Sequence, residues 1–214
     1  MASRDAPSAT SGLLLLADIS GYTAFLQAVT LAHKDDAFAG GAVPDAYAVM
    51  SSLLDGIVGQ LVPPFTLSKL EGDAVFAYAA DSAPIPRGGA MLDCLSECYA
   101  DFRRRVATAR DIQTCWCNVC SRLDVLDLKF ILHAGGFVIQ AIADGRELVG
   151  PEVIMAHRLL KSGAEELVAR SGYALITAEA ASRFEIPIEA AVPMVETYEH
   201  YAPIEAHVFP LRAA

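Results

Sequence analysis

The sequence predicts an α/β (α+β) sandwich in which helices cover a mainly antiparallel sheet, and three observations lead there. Short apolar runs bounded by Gly, Pro or Asp alternate with longer stretches of helical spacing. Two pairs of those runs are separated by three residues each, a connection suited to antiparallel neighbours. The chain has 214 residues, 54% of them hydrophobic and 20% charged, which supplies one substantial core without a second domain.

Residues 1–11 (MASRDAPSATS) are small and polar and are expected to form a flexible tail, leaving a single domain over 12–214. Leu13 to Ile19 is a short continuous apolar run, the mark of a strand buried on both faces. Thr23 to Leu31 has helical spacing, with Phe25, Leu26 and Val29 on the buried side. A small-residue loop, 34–42, leads to Pro44, a first helical residue for the stretch Asp45 to Leu61. Pro63 and Pro64 end that helix. Phe65 to Leu70 and Ala74 to Ala79 form a hairpin through Glu71-Gly72-Asp73, and a third helix runs from Ala90 to Ala109. Leu126 to His133 and Phe137 to Ile142 are a second expected hairpin, joined through Gly135 and Gly136. Pro151 opens a fourth helix that reaches about Ser162, with Gly163 as its C-terminal cap. Strands at Met194 to Tyr198 and Ile204 to Phe209 close the chain.

The net charge of −10 repels phosphate backbones and argues against a nucleic-acid partner. A small polyanion remains possible if metal ions or local cations offset that repulsion. Mean hydropathy is +0.37, yet the apolar residues are dispersed. Leu13 to Ala17 is cut off by Asp18, far short of the roughly 20 residues a membrane span needs. No signal-peptide pattern opens the chain, so a soluble cytoplasmic protein is expected. No sensor domain is expected either, which leaves control to a partner, the cysteine loop or the metal supply.

Asp18 ends a buried apolar strand and Asp73 occupies a hairpin tip between two others. An ionised carboxylate in either place is costly unless compensated, and a divalent cation such as Mg²⁺ is the usual remedy for two together. Taken singly, Asp18 also reads as a helix cap and Asp73 as a turn residue. Ser20, Gly21 and Tyr22 open the first helix, where free N–H groups favour a phosphate, and Lys69 precedes Asp73 by four residues. Together these groups suit a nucleoside triphosphate on an acidic protein.

Four segments resemble class III adenylate and guanylate cyclases, in family order: LADISGYTAFL (16–26), KLEGDAVFAY (69–78), LDLKFILHAGGFVI (126–139) and ELVGPEVIMAHRLLKSG (147–163). The resemblance implies a ferredoxin-like βαββαβ sheet of the cyclase type. It implies that Asp18, Ile19 and Asp73 bind two Mg²⁺ or Mn²⁺ ions, with Gly72 in the hairpin tip beside them. It implies that Lys69 and Glu147 face the base of ATP or GTP, and that Arg158 stabilises transition-state charge. In that family one subunit supplies the metal carboxylates and its partner the other residues, so a head-to-tail homodimer is expected. The match breaks at Ile154, where active relatives carry a ribose-orienting Asn, at Pro151, where an Asp is usual, and in a short segment between Phe137 and Gly150. The implied activity is therefore a divergent nucleotidyl cyclase, with a catalytically degenerate nucleotide-binding or protein-interaction domain as the alternative.

Five cysteines fall between Cys94 and Cys120, an odd number that does not suit a secreted disulfide framework. Cys115, Cys117 and Cys120 crowd one loop, and Cys94 and Cys98 share a helix face. Three loop thiols plus a helix thiol suit tetrahedral Zn²⁺, although the spacing is not a common zinc-ribbon pattern. Redox sensing and ordinary packing are the other readings. His133 is expected to be a structural histidine, His157 a helix-surface histidine, and Arg103 to Arg105 a solvated helix face.

Overall fold

The computed structural model of the chain describes residues 6–33, 43–112, 115, 117–143, 145–168 and 171–212. The expected loop at 34–42 therefore lies outside the described residues, as do residues 1–5 of the expected tail and Trp116.

Strand β1 (Ser8–Ser20) is the centre of the molecule. Leu13, Leu15, Ala17 and Ile19 point into one core, and Leu14 and Leu16 into a second on the other face. Removing each leucine from water contributes about 1.5–3 kcal/mol. Helices α1 (Tyr22–Ala32), α2 (Asp45–Leu61), α3 (Gly89–Ile112) and α6 (Ala178–Arg183) contribute to the first core. In α2 the buried positions Ala46, Met50, Leu53, Ile57 and Leu61 recur at helical spacing. Helix α4 (Pro151–Leu159) lays Val153, Met155, Ala156 and Leu159 on the second core.

The sheet runs β2-β3-β1-β4-β6-β8-β7, with β5 pairing only to β4. Its first four members are β2 (Thr66–Glu71), β3 (Ala74–Ala80), β1 and β4 (Asp127–Ile142), each antiparallel to its neighbour in the expected ferredoxin-like order. Strand β6 (Tyr173–Thr177) pairs parallel to β4, and β8 (Ile204–Pro210) and β7 (Val192–Glu196) complete the sheet antiparallel. The wholly buried β6 is a short apolar run that sequence reasoning missed.

Three further expectations are corrected. The tail expected over 1–11 is shorter, because Ser8 to Ser11 already pair with Ile139 to Gly136. The hairpin expected at Gly135-Gly136 is one uninterrupted strand: neither glycine has the positive φ that a tight turn requires, and a Cβ on Gly135 would collide with Glu152 packed above it. The chain turns later, at Ala143 (φ 53°), into β5 (Gly145–Val149). Gly163 does not cap α4; it has φ −74° and precedes the short α5 (Ala164–Leu167).

Gly12 lets β3 approach β1 closely, since a Cβ there would run into the backbone of Ala79 and Ala80. Gly12→Ala is expected to destabilise the chain by about 1–3 kcal/mol through overpacking, read by denaturant unfolding. Unchanged stability would show that the strands can part without cost.

Candidate functional site

Asp18 and Asp73 meet where β1 ends. The Ile19 N–H donates to Asp73 O across 3.2 Å, which draws the β2–β3 tip against the end of β1. Ile19 turns its side chain into the core, so only its backbone faces the site. A cavity of about 360 Å³ opens there, lined by Asp18, Ser20, Tyr22, Asp73, Lys129 and Glu165 among others. Gly72 sits in the turn with φ 68°. Gly21 is the N-cap of α1 at φ 82°, and a Cβ on it would lie 2.8 Å from Val125 O, so both conformation and space demand glycine. No side chain caps that helix start. Burial first, and then the negative charge of Asp18, hold the Asp73 carboxyl above the usual range, partly offset by Lys129. Burial and then Asp73 raise the Tyr22 phenol.

Lys129 was missed by sequence reasoning. It stands beside Asp18 in strand register, its Nζ 3.0 Å from Asp18 Oδ2 and 3.2 Å from Leu160 O. A single lysine inside the apolar run of β4 was the available signal. Glu165, from α5, left no such signal.

Elsewhere on the same face of the sheet Lys69 meets Glu147, whereas Arg158 packs on Tyr198 and Tyr201. A bulge at Ser68 breaks the register between Leu67 and Lys69, so Lys69 pairs with Phe76, a residue of the α4-side core, whereas Leu67 pairs with Ala77 of the opposite core. Lys69 Nζ then lies 2.7 Å from Glu147 Oε2 and 3.2 Å from Glu71 Oε1. Its hydrogen bond to Glu147 is the leading cause that raises the ammonium pKa. His157 is half-buried rather than on the helix surface: Nε2 lies 2.7 Å from Glu71 Oε2 and its ring packs edge-on to Phe76. Arg158 stacks over Tyr198 and Tyr201, whose ring centroids lie 5.7 and 5.1 Å away. Neither tyrosine carried a functional expectation from sequence, and both lie between β7 and β8. Arg158, Ile154, His157 and Lys161 line a cavity of about 360 Å³. Ile154 is 52% exposed there, one helical turn from Arg158.

His133 is buried as a structural histidine, between Glu152 Oε2 at 2.7 Å and Thr177 Oγ1 at 3.2 Å. Arg103 is not solvated in the expected way, since it donates to Leu126 O at 2.8 Å.

The cysteines divide differently from the expectation. Cys98 is buried on the core face of α3, where burial pushes its thiol up, and Cys94 packs beside that core. Neither reaches the loop thiols, because their helix face is turned into the core. Cys115, Cys117 and Cys120 instead surround His33, at the end of α1. Burial works to raise the Cys117 thiol, but hydrogen bonds from Cys120, Val119 and His33 outweigh it and lower it to about 6. Burial and the two neighbouring thiols push Cys120 up to about 12.

The sheet and its helix cover have the fold of solved nucleotidyl cyclases. The adenylyl cyclase CyaB from P. aeruginosa superposes with a TM-score of 0.65 at 16% identity, covering 97% of this chain and 98% of that one. The guanylyl cyclase Cya2 gives 0.64 at 12% identity over 95% and 93%. By sequence the chain belongs to the family described as protein of unknown function DUF2652, whose model matches residues 50–167. It is also 28% identical over 166 residues to the uncharacterized protein Rv2561/Rv2562 of Mycobacterium tuberculosis, spanning 76% of this chain and 73% of that protein. Among the described residues no helix is long and apolar enough to cross a membrane.

The raised pKa of Asp73 means that its protonated form favours the fold. That contribution is present in acid and lost as pH rises through the folded value, so the ionised carboxylate weighs against the metal-free fold at neutral pH. Asp73→Asn is therefore expected to raise the neutral-pH melting temperature of the metal-free chain and to flatten its pH dependence in calorimetry. A lower melting temperature would mean that the carboxylate is already compensated.

Proposed function

We propose that the chain binds a nucleoside triphosphate with divalent cations and converts it to a cyclic nucleotide and pyrophosphate as a head-to-tail homodimer. The observation that carries this reading is the pair Asp18 and Asp73 at one cavity, with Asp73 raised by burial and by its neighbour's charge. Two hard oxygen donors that repel each other beside an open helix N-terminus fit Mg²⁺ or Mn²⁺. When bound, the ions activate the ribose 3′-hydroxyl and neutralise phosphate charge.

The chain's own residues have separable parts. Asp18 and Asp73 hold the ions, and the N–H groups of Gly21 and Tyr22 face the phosphates. On the partner's α4 side, Lys69 and Glu147 read the base, while Arg158, braced by Tyr198 and Tyr201, meets charge developing on the α-phosphate. The 3′-oxygen bonds to the α-phosphorus, and the bond from that phosphorus to the bridging oxygen breaks. Pyrophosphate leaves with the electron pair, and the hydroxyl proton passes to water. The aspartates and Arg158 line different cavities of one chain, which supports a site completed by a second copy.

A second reading, a degenerate nucleotide-binding domain, is supported by Ile154, whose apolar side chain cannot hydrogen-bond a ribose, and by the Asp18–Lys129 ion pair, which competes with a cation.

The test is turnover of ATP and GTP with Mn²⁺, read by mass spectrometry. Cyclic product that vanishes in Asp18→Ala and Asp73→Ala is expected, and nucleotide bound without product would favour the second reading. Unchanged calorimetric affinity in both aspartate variants would sink the two-metal assignment. Arg158→Ala is expected to lower turnover about a hundred- to thousandfold. Ile154→Asn is expected to raise it; a fall would mean that Ile154 does not stand in for the missing asparagine.

A further inference from the structure

We propose that His33, Cys115, Cys117 and Cys120 form a tetrahedral Cys₃His site for a structural zinc ion that locks helix α1 in place. The four ligand atoms all lie within 4.8 Å of one another. His33 Nε2 is 3.3 Å from Cys120 Sγ, 3.4 Å from Cys117 Sγ and 3.6 Å from Cys115 Sγ. A tetrahedron with Zn–S of about 2.3 Å and Zn–N of about 2.0–2.1 Å has N···S edges of about 3.5 Å.

Hydrogen bonding alone does not account for this arrangement. A ring nitrogen carries either one proton or one lone pair, and here three sulfurs surround it at nearly equal distances. A shared central cation satisfies all four groups at once. The Cys120 N–H also donates to Cys117 Sγ at 3.2 Å, the kind of outer contact that orients a thiolate ligand. The cysteines are free thiols, and Cys120 is buried. Thiolates with one imidazole select zinc, whereas the carboxylate pocket selects hard cations, so the two sites do not compete for one metal.

The consequence lies in where the ligands come from. His33 ends α1, and the cysteines lie 82 to 87 residues further along the chain. The same stretch continues through Asn118, Val119, Arg122 and Val125, which face α1 across a cavity of about 400 Å³. Val125 O abuts Gly21 at the other end of the helix. One segment therefore grips α1 at both termini, and the N-terminus so fixed flanks Asp18. This role stands whether or not the chain turns over a nucleotide.

Zinc analysis of the full-length chain, purified without chelator, is expected to give about one ion per chain. Replacement by Co²⁺ is expected to give the intense absorption of tetrahedral cobalt bound to thiolates. His33→Ala and Cys117→Ser should lose the ion, whereas Cys94→Ser, Cys98→Ser and His33→Cys should keep it. Chelation of the wild-type chain should speed amide hydrogen exchange across α1. A wild-type chain that takes up neither zinc nor cobalt, or one isolated with a disulfide among the loop cysteines, would overturn the site. Full zinc in His33→Ala would remove the histidine from it. Bound zinc with α1 exchange unchanged by chelation would overturn the locking role.

Discussion

The structure depends on a strand that must be apolar on both faces and yet end in a carboxylate. Strand β1 lies between β3 and β4 and separates two cores, so its side chains leave water whichever way they point. Asp18 is where that condition gives way. It is still largely enclosed, and its charge has to be answered nearby, by Lys129 in the metal-free chain and by a cation in the proposed complex. The Asp73 tip, the open start of α1 and the α5 side of the cavity are arranged around that one position.

Much of this was readable in sequence because it rests on local rules. The run from Leu13 to Ile19 shows its double burial in its composition, and Pro44, Pro63 and Pro64 bracket α2 by removing donors or fixing φ. Asp18 and Asp73 stood out as charges at the ends of apolar runs. The features that escaped depend on tertiary placement. Of the two glycines that looked like a turn in β4, Gly135 is explained by Glu152 lying above it. His33 joins the cysteines through an approach across more than a third of the chain, with no local spacing to announce it. Tyr198 and Tyr201 stand three apart between β7 and β8, and only the fold brings them over Arg158.

The two halves of the candidate site are prepared to different degrees. Around Asp18 and Asp73 two carboxylates share the charge of one lysine, and Asp73 stays raised by burial and by its neighbour. Around Lys69 the electrostatics are nearly closed, since Lys69, Glu71, Glu147 and His157 already satisfy one another. These pairs are partly exposed, so each contributes little to stability, about 0–1 kcal/mol, and opening them costs little. Ile154 adds an apolar, water-facing spot at the same surface.

The bulge at Ser68 gives that surface an arithmetical character. Along a strand the face taken by a side chain depends on whether its position is odd or even, and one extra residue reverses the parity of every later position. Lys69 and Glu71 face α4 by virtue of a count. Loss of Ser68 would cancel the bulge and leave Leu67 against Ala77 and Lys69 against Phe76, so both side chains would keep their faces. A gap placed here in a sequence comparison thus leaves the lysine of a Lys-x-x-Gly-Asp string available to a ligand, whereas a gap between that lysine and the turn glycine would turn it against the helices.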